Sequence, residues 1–252
     1  ISGENGAIFT QLESHGALLI DSGNFTHYQG NTSGVVNFPE GKSYTSFGHT
    51  YSQTSEIAGN GPVILHHATV AGSFDVGGWS EIHGTVHFTE TAEILSVGSS
   101  LQVFGSVHFP ETLALTLPQL HLNVGANLYG IGDLTVSGVT TLNPNTRLYG
   151  PGRLNALGGL EVSTLGHWSL IADREVHLGA DATHEGNELG QPLYLKNSSL
   201  HIPDGLTLTM IGESAINNWE TPNNLIDNQG TIRKISGENG AIFTQLESHG
   251  AL

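Results

Sequence analysis

The chain has 252 residues, no cysteine and a formal net charge of −16 at pH 7. The lack of cysteine excludes disulfides and thiolate metal sites, and the acidic charge argues against nucleic acid and anionic lipid as partners. No run of about 18 apolar residues occurs, so we expect no membrane insertion in this segment. The hydrophobic content of 37% is adequate for a folded core.

The two ends of the chain carry the same sequence. Residues 1–18 read ISGENGAIFTQLESHGAL, and residues 235–252 repeat them letter for letter. We therefore predict that residues 1–234 are one repeat unit and that 235–252 begin the next identical unit. A period this long is typical of repeat architectures, and we expect the chain to be a window from a longer tandem array. The alternative interpretation is an engineered duplication.

Short segments rich in Val, Ile, Leu and Phe follow one another along the unit, each closed by Gly, Asn or Pro. They predict strands of about four to six residues separated by turns. Examples in chain order are residues 84–88, 100–104, 119–124 and 205–211. No stretch of useful length has apolar residues at i, i+3, i+4 and i+7, so any helices should be minor.

A shorter period lies inside the unit. Residues 84–91 (GTVHFTET) recur as 105–112 (GSVHFPET), and residues 128–134 (LYGIGDL) recur as 148–154 (LYGPGRL). Spacings of about 20–21 residues with strand and turn signals predict an all-β fold, a parallel β-solenoid (right-handed β-helix) with one coil per period. A β-sandwich is the alternative fold.

Glycines of the recurring LYGxG segment should occupy the corners of the coils. A corner requires either a positive φ or a close approach of two backbones, and glycine permits both. The predicted turn glycines are Gly130, Gly132, Gly150 and Gly152. Val, Leu, Ile and Phe should then stack inside, each over its counterpart one coil away.

The boundary between the units joins them without a linker, because residues 224–234 (NLIDNQGTIRK) run directly into the second copy. Together with residues 15–23 (HGALLIDSG) and 57–61 (IAGNG), this style of turn and strand resembles large secreted bacterial β-helix proteins. These are the filamentous-haemagglutinin-like and autotransporter-like adhesins and the giant surface repeat proteins. The resemblance implies a secreted, extracellular or cell-surface protein.

Histidine is unusually frequent, with 14 residues against seven Lys and Arg. Several lie between two apolar neighbours on predicted strands and should point outward when those neighbours face the core. They are His87, His108, His121, His177 and His201. His87 and His108 occupy equivalent positions one coil apart and should stack at about 5 Å. That spacing would suit a shared metal ion, but we expect solvated surface residues, no bound metal and no cofactor.

Two further surface features leave alternatives open. Glycosylation sequons occur at Asn24, Asn31 and Asn197, and these could carry glycans or be accidental. The tryptophans are Trp79, Trp168 and Trp219. They could provide stacking platforms for sugars, although we favour burial or lateral contact.

An enzyme would need paired carboxylates on one exposed face, and the acidic residues are scattered singly along the sequence. Residues 173–175 (DRE) are predicted to form a solvated turn, and residues 181–191 a loop in which His184, Glu185 and Glu188 could form a site. We expect no enzymatic activity. The predicted function is a structural segment of an extracellular filament or cell-surface stalk, whose partners are neighbouring copies end to end, with lateral self-association. The alternatives are an adhesin that binds polysaccharide or a cell surface and a carbohydrate-active enzyme.

Overall fold

A computed structural model of the chain describes residues 5–8, 11–187, 191–220 and 223–252. These residues form a right-handed parallel β-solenoid of about 12 turns, without a helix among them, which confirms the predicted fold class. Within the same ranges, no helix has the length and apolar character that a bilayer crossing requires. The chain divides into residues 1–110 and 111–252, and parallel strands in each unit pair into ladders that follow the faces of the coils.

In residues 1–110, the described strands form three ladders. The first contains β1 (Asn5–Ile8), β4 (Asn24–Thr32), β6 (Ser43–Tyr51), β8 (Val63–His66), β11 (Ser80–His83) and β14 (Leu101–Val103). The second shares the long strands β4 and β6 and adds β2 (Leu12–Ser14), β9 (Thr69–Val70), β12 (Thr85–Phe88) and β15 (Ser106–His108). The third contains β3 (Leu18–Leu19), β5 (Val35–Asn37), β7 (Glu56–Gly59), β10 (Ser73–Val76) and β13 (Glu93–Val97).

The described strands of residues 111–252 form three ladders of their own. The first contains β17 (Leu120–Leu122), β20 (Thr140–Leu142), β23 (Leu160–Ser163), β26 (Ala182–Gly186), β29 (Thr207–Gly212) and β32 (Thr231–Lys234). The second contains β18 (Asn127–Tyr129), β21 (Arg147–Tyr149), β24 (Ser169–Ala172), β27 (Leu193–Lys196), β30 (Ala215–Asn218) and β33 (Ala241–Ile242). The third contains β16 (Leu115–Leu117), β19 (Leu134–Val136), β22 (Arg153–Ala156), β25 (Glu175–Leu178), β28 (Ser199–Ile202), β31 (Leu225–Asn228) and β34 (Gln245–Ser248).

Coil length varies more than the internal sequence matches indicate. The predicted 20 residues separate paired positions such as Leu120 and Thr140. Elsewhere Val63 pairs with Ser80, 17 residues on, and His201 pairs with Asp227, 26 residues on. A one-residue slip within a strand would turn its apolar side chains outward, so most differences in length lie at the corners. One residue is absorbed within a strand, at a register shift where Phe74 pairs with Ile94 and Asp75 with Ser96.

The interior of residues 1–110 is rich in aromatic side chains. Five of them are at most 1% exposed: Phe25, Phe38, Tyr44, Tyr51 and Phe74. Phe25 and Tyr44 pair in register on β4 and β6, and their rings stack with centroids 6.3 Å apart. The parallel register therefore places ring above ring from one coil to the next.

The interior of the third ladder in residues 111–252 is aliphatic instead. One column runs in register through Leu115, Leu134, Leu154, Val176, Leu200 and Ile226. None of these side chains is more than 6% exposed. Burial of a side chain of this size contributes roughly 1.5–3 kcal/mol, so the column stabilises each contact between neighbouring coils.

Candidate functional site

A corner of residues 111–252 stacks glycine upon glycine. Gly130 and Gly150 have φ values of 78° and 139°, and a Cβ on Gly150 would lie 2.0 Å from the Gly130 carbonyl oxygen. Only glycine satisfies both conditions. Gly152 also has a positive φ, of 91°, whereas Gly132 lies outside the left-handed region, and a Cβ on Gly132 would lie 2.8 Å from the Glu111 carbonyl oxygen.

The carbonyl groups of this corner bind a buried arginine. Arg174 is 1% exposed; its Nη2 donates to Ile131 O at 2.7 Å and Gly130 O at 2.9 Å, and its Nη1 donates to Gly132 O at 3.1 Å. Burial lowers the pKa of Arg174 to about 10, which leaves it charged at neutral pH. The prediction of a solvated turn at residues 173–175 is therefore wrong for Arg174. Corner carbonyls that no strand can pair need a donor, and the guanidinium supplies it.

The residues on either side of Arg174 line an open cleft of about 430 Å³. Its polar lining includes Asp133, Arg153, Asp173, Glu175 and Asn197. Acidic residues that are scattered along the sequence are thus gathered by the stacking of coils. A hydrogen bond from Arg153, followed by one from His177, lowers the pKa of Glu175, which is the direction opposite to the one that a general acid requires.

His87 and His108 lie side by side, as the sequence period predicts. They pair in register on β12 and β15, and their rings stack with centroids 4.3 Å apart. Burial, with a smaller effect of His87, lowers the pKa of His108. The two strands have the sequences TVHF and SVH, so hydroxyl groups rather than carboxylates precede the imidazoles by two residues.

His177 and His201 form a second stacked pair, with ring centroids 4.2 Å apart, and this pair lies beside a carboxylate. Glu175 Oε2 is 3.4 Å from His177 Nε2, and one donor atom from each of Glu175, His177 and His201 lies within 4.8 Å of the other two. Sequence reasoning identified both histidines as outward-facing but missed their pairing. The pairing spans 24 residues, outside the 20–21-residue period, although the shared x-apolar-His-apolar pattern was a usable signal.

Comparisons of the chain with protein-family models, with curated proteins and with solved structures give no match. Function is therefore inferred from the residues of the chain itself.

Two histidines that sequence reasoning missed face the interior of residues 1–110. His27 and His49 are 0% and 1% exposed, and their rings meet edge to face at 4.3 Å. His27 Nε2 and the Tyr44 hydroxyl are 2.6 Å apart, and that hydroxyl is 2.7 Å from the Tyr51 hydroxyl. Burial, assisted by His49, lowers the pKa of His27 to about 3. The alternation of Phe25 and His27 in β4 was the signal for this inward position.

The segment 181–191 is not the predicted loop in its first part. Residues Ala182–Gly186 form β26, which pairs on both sides with β23 and β29. His184 is 1% exposed and 3.2 Å from Thr164 Oγ1, and burial lowers its pKa to about 4. Glu185 points the opposite way and is exposed, so these two residues do not form a common site. Glu188 lies outside the described residues.

The three sequon asparagines are all exposed. The amide groups of Asn31 and Asn197 donate to carboxylates, Asn31 to Glu13 at 3.0 Å and Asn197 to Asp173 at 2.9 Å. Asn24 Oδ1 accepts a hydrogen bond from Ser43 at 2.7 Å. All three side chains are therefore at the surface.

Two of the three tryptophans cluster at the surface of residues 111–252. Trp168 and Trp219 have ring centroids 5.1 Å apart, and Tyr194 packs against Trp219 at 4.8 Å. The Arg147 guanidinium carbon lies 5.0 Å from the centre of the Trp168 ring. These aromatic side chains and Trp79 are half-buried, so each keeps part of its surface open to solvent.

Proposed function

We propose that the chain is a structural segment of an extracellular filament or cell-surface stalk, in which tandem 234-residue units continue as one β-solenoid. Backbone ladders and inner side-chain columns would make such a segment stiff. The net charge of −16 would keep it soluble and repel nucleic acid. The extracellular location is proposed from the resemblance of the turns and strands to secreted β-helix proteins.

The observation that carries this proposal is the way in which the two copies of the duplicated segment use opposite strand edges. In the first copy, Leu12 pairs with Gly30 of the following coil. In the second copy, the equivalent Leu246 pairs with Ile226 of the preceding coil. The start of the second unit therefore stacks on the end of the first as its next coil. The two copies are not placed alike, because β2 joins the sheet of β4 and β6 whereas β34 joins the sheet of β31.

The second copy also presents an apolar surface that a following coil would cover. Leu252 and Phe243 are 77% and 63% exposed, beside an open apolar cleft of about 310 Å³ to which Ile232 and Leu246 contribute. Leu18, the equivalent of Leu252, pairs with Val36 and is half-buried. The proposed occupant is the next coil of the unit, which would begin with the equivalent of Leu19.

The denatured size of the native polypeptide tests this proposal. On a gel after boiling in detergent, a tandem array should run far above 26.6 kDa, and partial proteolysis should release fragments that differ by one unit. A single band near 26.6 kDa would contradict a covalent tandem array.

A second candidate function is polysaccharide binding by an adhesin, which the Trp168–Tyr194–Trp219 cluster favours. Aromatic faces beside a cation provide apolar stacking area together with a polar anchor. Binding on a glycan array that is lost in Trp168→Ala, with unchanged circular dichroism, would support this function. An absence of binding to any glycan would count against it.

A further inference from the structure

The outer surface of the third ladder in residues 111–252 brings together a donor set suited to a metal ion. Glu175 and His177 are two residues apart on β25, so both side chains leave the same face of the strand. His201 lies on the adjacent β28, in register with His177. Because all three residues sit on hydrogen-bonded strands, the backbone holds their Cα atoms in fixed relative positions.

The chemistry of these donors selects a class of ion. Two imidazoles and one carboxylate suit zinc and its neighbours in the first transition series, whereas calcium and magnesium prefer sites made only of oxygen. Donor atoms within 4.8 Å of one another must move slightly closer to bind at the usual 2.0–2.2 Å from the ion. The His177 and His201 rings lie 24° from parallel, so one ring must turn about its Cβ–Cγ bond to make the lone pairs converge. The three side chains are between 26% and 56% exposed, which leaves room for that rotation.

A second carboxylate orients the His201 imidazole of this cluster. Asp227 follows His201 in register on β31, and its Oδ2 lies 3.2 Å from His201 Nδ1. A carboxylate at Nδ1 holds the proton on that nitrogen, which leaves the Nε2 lone pair for a metal ion. The Ser199 hydroxyl, 2.9 Å from Nε2, would give up its hydrogen bond when an ion binds.

One cation competes for the same carboxylate. Arg153 Nη2 lies 3.3 Å from Glu175 Oε2. A metal ion would have to displace the guanidinium from this carboxylate and would be repelled by its positive charge.

We propose that Glu175, His177 and His201 bind one divalent transition-metal ion of the zinc class, with water at the open coordination positions. Asp227 orients the imidazole of His201 for this role. The ion joins two successive coils, because His177 and His201 come from adjacent strands of the ladder. This site does not depend on the proposed filament function, since all of its residues lie in one unit.

Zinc titration of the whole chain by calorimetry, with cobalt absorption spectra as a report on nitrogen ligation, tests the site. His201→Gln should abolish binding of the most tightly bound zinc ion. Asp227→Asn should lower the affinity for that ion by about 10- to 100-fold, as loss of an orienting partner does. Arg153→Gln should bind zinc more tightly than the unmodified chain. His108→Gln is the matched control, because it removes one histidine of a stacked pair that lies outside the Glu175–His177–His201 cluster. Its affinity for the most tightly bound zinc ion should not change.

Unchanged zinc affinity in both His177→Gln and His201→Gln would overturn the proposal, as would weaker binding in Arg153→Gln. These side chains are at the surface, and circular dichroism checks each fold. If a histidine variant fails to fold, histidine NMR signals of the unmodified chain decide: zinc should shift His177 and His201 first. Zinc-induced shifts confined to other histidines would overturn the assignment.

Discussion

Two pairs of histidines, one in each unit, lie on opposite sides of their strands, and their surroundings differ accordingly. In residues 1–110, His27 and His49 face an aromatic interior, and burial lowers the pKa of each. In residues 111–252, His177 and His201 face outward beside Glu175. Successive side chains of a strand point to opposite faces, so a shift of one position decides whether an imidazole becomes a neutral part of the core or a metal ligand.

The largest expected effect comes from placing a charge at an inward-facing position of a strand. Leu134→Asp places a carboxylate in the aliphatic column of the third ladder, where Leu134 is 0% exposed. An unpaired buried charge should cost more than about 4 kcal/mol, and we expect this variant to unfold. Thr116→Asp, on the exposed face of the neighbouring strand β16, should change the free energy of unfolding by less than about 0.5 kcal/mol. Urea unfolding measures both, and equal stability of the two variants would refute the assignment of the core.

Acid should destabilise the protein through the inward histidines. The folded-state pKa values of His27 and His184, about 3 and about 4, lie below the ordinary 6.5, so the unfolded chain takes up these protons first. Stability therefore falls as the pH drops below 6.5 and levels off near the folded-state pKa values. At about 1.4 kcal/mol per pH unit for each histidine, the loss at pH 4.5 is about 5 kcal/mol for the two together.

Urea unfolding at pH 7 and pH 4.5 measures this loss, and His27→Gln isolates one contribution to it. That variant should lose about 3 kcal/mol less stability between the two pH values than the unmodified chain does. His201→Gln, on the outer surface, is the matched control and should lose nearly as much stability between the two pH values as the unmodified chain does. An acid-induced loss that is unaffected by His27→Gln would contradict the role of the interior histidine.

Removal of the buried cation should have an intermediate effect. Arg174→Met keeps much of the side-chain volume but leaves the carbonyl groups of Gly130, Ile131 and Gly132 without the guanidinium. Loss of hydrogen bonds from a charged donor should cost about 3 kcal/mol. Arg153→Met, which removes an exposed arginine from the same cleft, should cost less than about 1 kcal/mol. Thermal unfolding compares the pair, and equal melting temperatures would show that the Arg174 contacts contribute little.

The smallest expected effect is stabilisation by zinc at the outward site. A ligand that binds only the folded chain adds about 2.7 kcal/mol when its concentration is 100 times the dissociation constant. The melting temperature of the unmodified chain should therefore rise with zinc, and that of His201→Gln should rise much less. An equal rise in both proteins would place the stabilising ion elsewhere.

The fold class could be predicted from sequence because strand alternation and glycine corners are local signals. Within the matching segments 84–91 and 105–112, residues 85–87 pair with 106–108 as the similarity indicates, with His87 opposite His108. Coils of other lengths could not be paired in this way, since His177 and His201 lie in segments with no matching letters around them. The metal-site candidate was missed for that reason, although each of its histidines was identified as facing outward.

Buried polar residues were the second limit of sequence reasoning. Arg174 lies between two acidic residues and has the sequence context of a surface turn, but it is buried against carbonyl groups contributed by residues 130–132. Those acceptors lie more than 40 positions earlier in the chain, so no local sequence pattern predicts that they contact Arg174. His27 shows the same limit, since its Tyr44 and His49 neighbours come from the next coil.

The most direct test of the tandem solenoid is electron microscopy of proteins with one, two and three copies of residues 1–234 in series. With about 4.8 Å between strands and about 11 coils per unit, each added copy should lengthen the particle by roughly 50–55 Å. Ile226→Asp, which places a charge beneath Leu246 at each junction, should break that continuity. Straight particles that lengthen by this increment would support the account. Beads joined by flexible links in the unmodified series would contradict it.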